Sequence, residues 1–285
     1  MEHPPSNTQR STRPSARPLA TLPRYPRRMS DAEAWLNDPR PIQRLYTFRD
    51  APVDRRRWPA TVPSVAEVLR RADPDTGEGF EFSEGVTFLV GENGSGKSTL
   101  IEGIAEAAGL PVEGGSTNGG VTTRRAVSPL GEWLRVDRSP RAPRFGFFLR
   151  AETMHGYASY ADDLPGPGRP LHERSHGEMF NALLDDKLNH ERYVAGLVCL
   201  DEPEAALSFS STLRWLAALD RMRARGTQVI CATHSPVLAA LPGATILELG
   251  DWGIRETVWD DLEVVQLHRN FLDSPGRFLR HLLAD

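Results

Sequence analysis

The sequence predicts an α/β fold, a mostly parallel sheet flanked by helices, and three observations carry it. Short apolar runs bounded by turn residues, at 86–90, 145–151, 197–200, 229–233 and 245–249, have the length and composition of buried strands. Helical patterns lie between them, at 98–108, 178–189, 210–225 and 236–241. A glycine-rich turn ending in Lys97-Ser98 joins the first of these strands to the first of these helices. Strands alternating with helices favour parallel pairing with both sheet faces covered.

Taken in order, residues 1–30 carry six arginines against one acid and six prolines, which predicts a disordered basic tail. That tail holds +5 of charge, so residues 31–285 hold −9 of the chain's net −4. An acidic body is not the footprint of a protein that grips nucleic acid over its whole surface. Residues 31–285 are expected to form the folded domain. Within it the Gly-rich stretch from 112, running on to about 190, reads as an inserted, partly helical subdomain. No run approaches 18 apolar residues, so no membrane-spanning helix and no membrane insertion are expected. The N-terminus lacks an apolar h-region, and the two cysteines, Cys199 and Cys231, fall inside apolar runs. A reducing, cytoplasmic setting follows as the expectation. Of the 34 basic residues only Lys97 and Lys187 are lysines, a skew that a GC-rich genome would produce by itself.

Lys97 stands in the most specific motif of the chain. Gly91-Glu92-Asn93-Gly94-Ser95-Gly96-Lys97-Ser98-Thr99 matches G-x-x-x-x-G-K-[ST] between a strand and a helix. Such glycines let backbone N–H groups close around β- and γ-phosphate oxygens, and the helix N-terminus adds its positive end. Lys97 would supply a point charge to the phosphates and the Ser98 hydroxyl a ligand for Mg²⁺. A chance match in a chain of this length is on the order of 1%, from average residue frequencies.

About 100 residues on, the apolar run 197–200 empties into Asp201-Glu202. A carboxylate at a strand's C-terminal end beside a phosphate loop can hold Mg²⁺, a role given to Asp201. The neighbouring Glu202 points differently and can act as general base on an attacking water. Strands also end in acids for solvation alone; the upstream phosphate loop favours the functional reading.

Two further runs, Leu200-Asp201-Glu202-Pro203-Glu204-Ala205-Ala206-Leu207-Ser208 and Ala232-Thr233-His234-Ser235-Pro236, complete a recognisable set. With the phosphate loop they resemble the P-loop NTPase domain of ABC-type ATPases. The chain is most similar to soluble bacterial AAA-family ATPases, relatives of the double-strand-break-repair and chromosome-maintenance ATPases. The resemblance spans roughly residues 40–285 and takes in Phe147–Glu152 and the ending from Asn270 to Leu283. It implies ATP and Mg²⁺ as ligands, small β and helical subdomains beside the main sheet, and an ATP-dependent homodimer.

The resemblance also implies further residue roles. His234 matches the switch histidine that contacts the γ-phosphate. Glu152 falls where the family places its glutamine-loop residue, here a glutamate. Ser175 and Gly177, in Ser175-His176-Gly177-Glu178, align with the signature that binds the partner protomer's γ-phosphate. The same four residues also read as a helix capping box, Ser175 and Glu178 being its two ends, and the two roles are compatible. Ser208 stands where many relatives carry an aspartate. Trp58, Phe80 and Phe82, upstream of the loop, are candidates for an adenine-stacking aromatic and equally for core.

The implied activity is Mg²⁺-dependent ATP hydrolysis with a mechanical or regulatory output. A role in DNA repair or phage defence, with a DNA or protein partner, is the alternative. The ATP-binding subunit of a transporter comes next, and a small-molecule phosphotransferase last.

Overall fold

The computed structural model describes residues 29–75, 78–111, 115–116, 128–151, 196–205 and 207–283. Its strands are β1 (Arg44–Thr47), β2 (Phe80–Glu81), β3 (Val86–Gly91), β4 (Gly115–Ser116), β5 (Leu134–Asp137), β6 (Gly146–Arg150), β7 (Leu197–Asp201), β8 (Gln228–Thr233), β9 (Thr245–Gly250) and β10 (Gly253–Thr257). The helices among the described residues are α1 (Met29–Asn37), α2 (Pro63–Arg71), α3 (Lys97–Ala107), α4 (Leu130–Trp133), α5 (Phe209–Ala224), α6 (Pro236–Ala239), α7 (Glu263–Asp273) and α8 (Pro275–Leu282).

The larger sheet runs β10-β9-β3-β8-β7-β6-β4. Its five central strands are parallel, and only β10 and β4 run antiparallel at the edges. This is the α/β architecture expected from the sequence, and the five apolar runs are its five parallel strands. Their residues are buried on both faces, which is why they read as unbroken apolar stretches. One face packs Leu89, Phe148 and Ile230 against Ile101 and Ile104 of α3. The other packs Phe88, Val90 and Val229 against Trp215, Leu219 and Met222 of α5. In α5 the inward residues Thr212, Trp215, Ala218, Leu219 and Met222 recur at the three-to-four spacing of one helix face, and Ser208 caps its first turn by accepting from the Ser211 N–H at 3.3 Å.

A second, three-stranded antiparallel sheet, β2-β1-β5, sits beside the main one. Gln228, at the start of β8, ties the segment entering it in place. Its amide accepts from the Ile42 N–H at 2.8 Å and donates to the Ile42 and Ser83 carbonyls at 2.8 and 3.1 Å. Residues 134–137 and 146–150, inside the 112–190 stretch read as an inserted subdomain, are strands built into the small and large sheets. Leu134 and Val136 pair with Thr47 and Leu45 of β1, about ninety residues upstream. The rest of 112–190, including the helix expected at 178–189, lies outside the described residues apart from 115–116 and 128–151.

Candidate nucleotide site

The order of the sheet brings the chemistry together. β8 lies between β3 and β7, and the parallel registers pair Val90 with Thr233 and Asp201 with Ala232. The C-terminal ends of three adjacent strands therefore present the glycine-rich loop, the turn carrying His234 and the acids Asp201 and Glu202 side by side. This is the edge of an open parallel sheet where ligands bind.

The loop follows β3 and delivers α3. Gly94 and Gly96 adopt φ of +84° and +95°, the left-handed region that side chains rarely enter. At Gly96 a second constraint applies: a Cβ there would lie 2.5 Å from Ser64 Oγ and 2.8 Å from Val62. The start of α2 is thus packed directly on the loop, and Ser64 Oγ donates to the Ser95 carbonyl at 2.5 Å. Glu92, Asn93 and Gly94 are exposed at the loop's tip, whereas Lys97 is buried at the base of α3. Its Nζ donates to the Glu92 carbonyl at 2.9 Å, closing the loop into a ring. Burial pushes the Lys97 ammonium below its ordinary pKa, while the carboxylates of Glu202, Asp201, Glu204 and Glu92 pull it back up. A polyanion in the loop would add to that second group.

Beside it, Ser98 Oγ donates to Asp201 Oδ1 at 3.0 Å. A hydroxyl and a buried carboxylate at this spacing form a hard oxygen donor set that fits Mg²⁺, with phosphate and water oxygens completing it. The other carboxylate oxygen of Asp201 lies 3.5 Å from Arg150 Nε, and Arg150 also reaches Glu102 of α3 at 3.2 Å. Glu202 has a φ of +50°, the one non-glycine with positive φ among the described residues. Its carboxylate accepts from His234 Nε2 at 2.7 Å, and both side chains are about one-third exposed. Backbone conformations of this kind cluster at functional sites.

Two family models match the chain. One, described as "AAA domain", covers residues 75–128 and so brackets the glycine-rich loop. The other, described as "AAA domain, putative AbiEii toxin, Type IV TA system", covers 156–240 and brackets Asp201, Glu202 and His234. By these matches the chain is similar to P-loop NTPases of the AAA/ABC type. A relative in Streptomyces coelicolor, described as an ABC transporter ATP-binding protein, is 31% identical over 189 residues. The match takes in 58% of this chain and 66% of that protein, just under two thirds of the relative's length. Among solved structures, cbiO1 of Clostridium perfringens, part of the ABC transporter complex cbiONQ, is 15% identical with a TM-score of 0.39. It aligns with 73% of this chain and 92% of its own. The ATP-binding cassette MJ1267 of an ABC transporter is 15% identical with a TM-score of 0.38, over 67% and 90% of the two chains.

In this chain Gly91 through Thr99, Asp201, Glu202 and His234 fall at one sheet edge. Glu152, Ser175 and Gly177 lie outside the described residues. Phe80 and Phe82 are core, stacked edge to face at 5.3 Å, which leaves Trp58 as the exposed aromatic of the three. Sequence reasoning missed Ser64, Arg150, Glu102 and Glu204, all of which touch the site. Glu102 carries no motif of its own; Arg150 stands in the Phe147–Glu152 run and Glu204 in the Leu200–Ser208 run, neither with a role assigned there.

Proposed function

We propose that the chain binds ATP with Mg²⁺ and hydrolyses it, and that it dimerises around nucleotide to give a mechanical or regulatory output. The observation that carries the hydrolytic reading is the 2.7 Å contact between His234 and Glu202 at the ends of adjacent strands, beside Lys97 and the Ser98–Asp201 pair. The loop amides and Lys97 hold the phosphates. Ser98 and Asp201 would hold Mg²⁺, which when bound neutralises charge on the β- and γ-phosphate oxygens. Glu202 accepts a proton from water as the water oxygen bonds to the γ-phosphorus and the bond to the bridging oxygen breaks, leaving ADP and phosphate. His234 orients that carboxylate and faces the γ-phosphate position. Trp58, on the segment leading to α2 and the loop, is the aromatic available to the adenine.

Dimerisation rests on the signature resemblance of Ser175 and Gly177, and Glu152 would sense the metal and the water. The deciding experiment is Glu202→Gln with ATP and Mg²⁺. Turnover should fall at least about 100-fold while ATP binding persists, and a dimer should appear on sedimentation. Normal turnover together with a monomer would overturn the proposal.

The Streptomyces relative favours a second reading, the ATP-binding subunit of a transporter. Among the described residues no helix is long and apolar enough to cross a membrane. Co-purification with a membrane protein would support it. Stimulation by DNA would favour the repair or phage-defence reading instead.

A further inference from the structure

We infer that Glu204 is a positioning residue for hydrolysis, its carboxylate clamping the turn that holds His234 against Glu202. The inference rests on the ATPase reading above and deepens it.

The turn between β8 and α6 is very short. β8 ends at Thr233 and α6 begins at Pro236, so only His234 and Ser235 join them. Their N–H groups have left the strand ladder, and Ser235 caps α6 through its side chain, accepting from the Leu238 N–H at 3.3 Å. Each N–H therefore needs another acceptor. Glu204 Oε1 supplies it, taking the Thr233 hydroxyl at 2.5 Å, the His234 N–H at 2.7 Å and the Ser235 N–H at 3.1 Å. Thr233 Oγ1 also accepts from the Ser235 N–H at 2.9 Å, so hydroxyl, carboxylate and turn form one closed network.

Glu204 is itself held by the acid-bearing strand. It follows Glu202 by two residues, with the buried Pro203 between them, and the Leu207 N–H donates to its carbonyl at 2.9 Å. The Glu202 N–H donates across to the Ala232 carbonyl of β8 at 2.9 Å. The base and the histidine thus hang from two strands that are pinned together on either side of them. With Glu204 in place, His234 has its backbone fixed two residues past the Ala232 contact, and its ring meets Glu202 at 2.7 Å. Charge-assisted hydrogen bonds from three consecutive residues onto one oxygen make a stiffer anchor than neutral ones.

The second carboxylate oxygen, Oε2, is buried and has no hydrogen-bond partner among the described residues. All of the anchoring therefore runs through Oε1, and this makes the clamp separable from the charge. In Glu204→Gln the amide oxygen can still take the three donors, whereas Glu204→Ala removes the acceptor of the His234 N–H and leaves the Ser235 N–H with Thr233 Oγ1 alone.

The test is steady-state ATPase kinetics on the full chain. Glu204→Ala should lower kcat about 100-fold, the scale of a 1 Å misplacement of a reacting group, with KM for ATP within about twofold of wild type. Glu204→Gln should recover kcat to within about tenfold. Thr233→Val, which removes one of the three donors, should fall between them and serves where Glu204→Ala does not fold. In a His234→Ala background, Glu204→Ala should cost nothing further, because Glu204 acts through His234. An unchanged kcat in Glu204→Ala, equal losses in the Ala and Gln variants, or full additivity with His234→Ala would each overturn the clamp. If the wild-type protein hydrolyses no ATP, it is the ATPase reading that fails; turnover in the wild type with any of those outcomes leaves that reading standing and removes the clamp alone.

Discussion

Glu202, the proposed general base, has a backbone conformation that its residue type disfavours. A φ of +50° in a residue with a Cβ costs on the order of 1 kcal/mol or more. The fold accepts it because the main chain must turn out of β7 with its N–H on Ala232 and its side chain on His234. Glu202→Gly should therefore keep the thermal midpoint within a few degrees of wild type while abolishing turnover; thermal unfolding followed by circular dichroism checks it. Lys97→Ala should weaken ATP binding by about 100-fold or more, since it removes the cation that closes the loop on Glu92; calorimetric titration reads this directly. Trp58→Ala should raise KM for ATP by about fivefold or more, given about 1–3 kcal/mol for a base on an aromatic, with kcat unchanged. Lys97 and Glu202 were legible in the sequence as candidates, because a phosphate site needs particular residue types at fixed spacing, whereas Trp58 was one of three aromatics left open. Glu204 was not, because an acid after Asp-Glu-Pro has no fixed meaning until the turn at 233–235 is seen lying on it.

Among the elements, α2 does more than its sequence suggests. Its N-terminal Val62 and Ser64 occupy the space that a Cβ on Gly96 would take. Gly96→Ala should therefore displace α2 as well as strain the loop, lowering both stability and ATP affinity. Further along the helix, Arg70 and Arg71 beside Glu67 hold its carboxyl down at about 2, below the ordinary 4.5. A carboxylate with a lowered folded-state pKa contributes stability that is fully present above 4.5 and is lost as pH falls from there toward 2. Both arginines are substantially exposed, so the contribution is about 1 kcal/mol at most. Glu67→Gln should cost that amount at pH 7, and the gap between variant and wild type should close as the pH approaches 2; chemical denaturation at a series of pH values measures it. The parallel strands were readable as apolar runs. β1, β2 and β5 were not, being two to four residues long and stabilised by partners distant in the chain.

For the whole molecule, the large sheet separates two cores that load both of its faces. Phe88 of β3 is fully buried in one of them, and Phe88→Ala should cost about 3–5 kcal/mol, enough to unfold much of the protein at 37 °C. The −9 carried by residues 31–285 makes a second expectation. Duplex DNA should leave ATP turnover unchanged at low salt; stimulation that fades steeply as salt is added would instead assign the basic N-terminal residues to phosphate contacts. The fold class was legible because buried strands and a phosphate loop write themselves locally. The order of the strands was not, since it turns on β3 pairing with β8 and β9, more than a hundred residues further along the chain.

That order has a consequence for synthesis. β3 leaves the ribosome before β7, yet its two parallel neighbours, β8 and β9, are made after both. A chain stopped at residue 227 could pair β6 with β7 while the apolar β3 still waited for either of its flanks. β3, an interior strand, is thus made first among the parallel five and joined late, which leaves a sticky edge exposed through much of translation. Truncations ending between residues 202 and 227 should accumulate as aggregates, and those reaching past 250 should be recovered in soluble form.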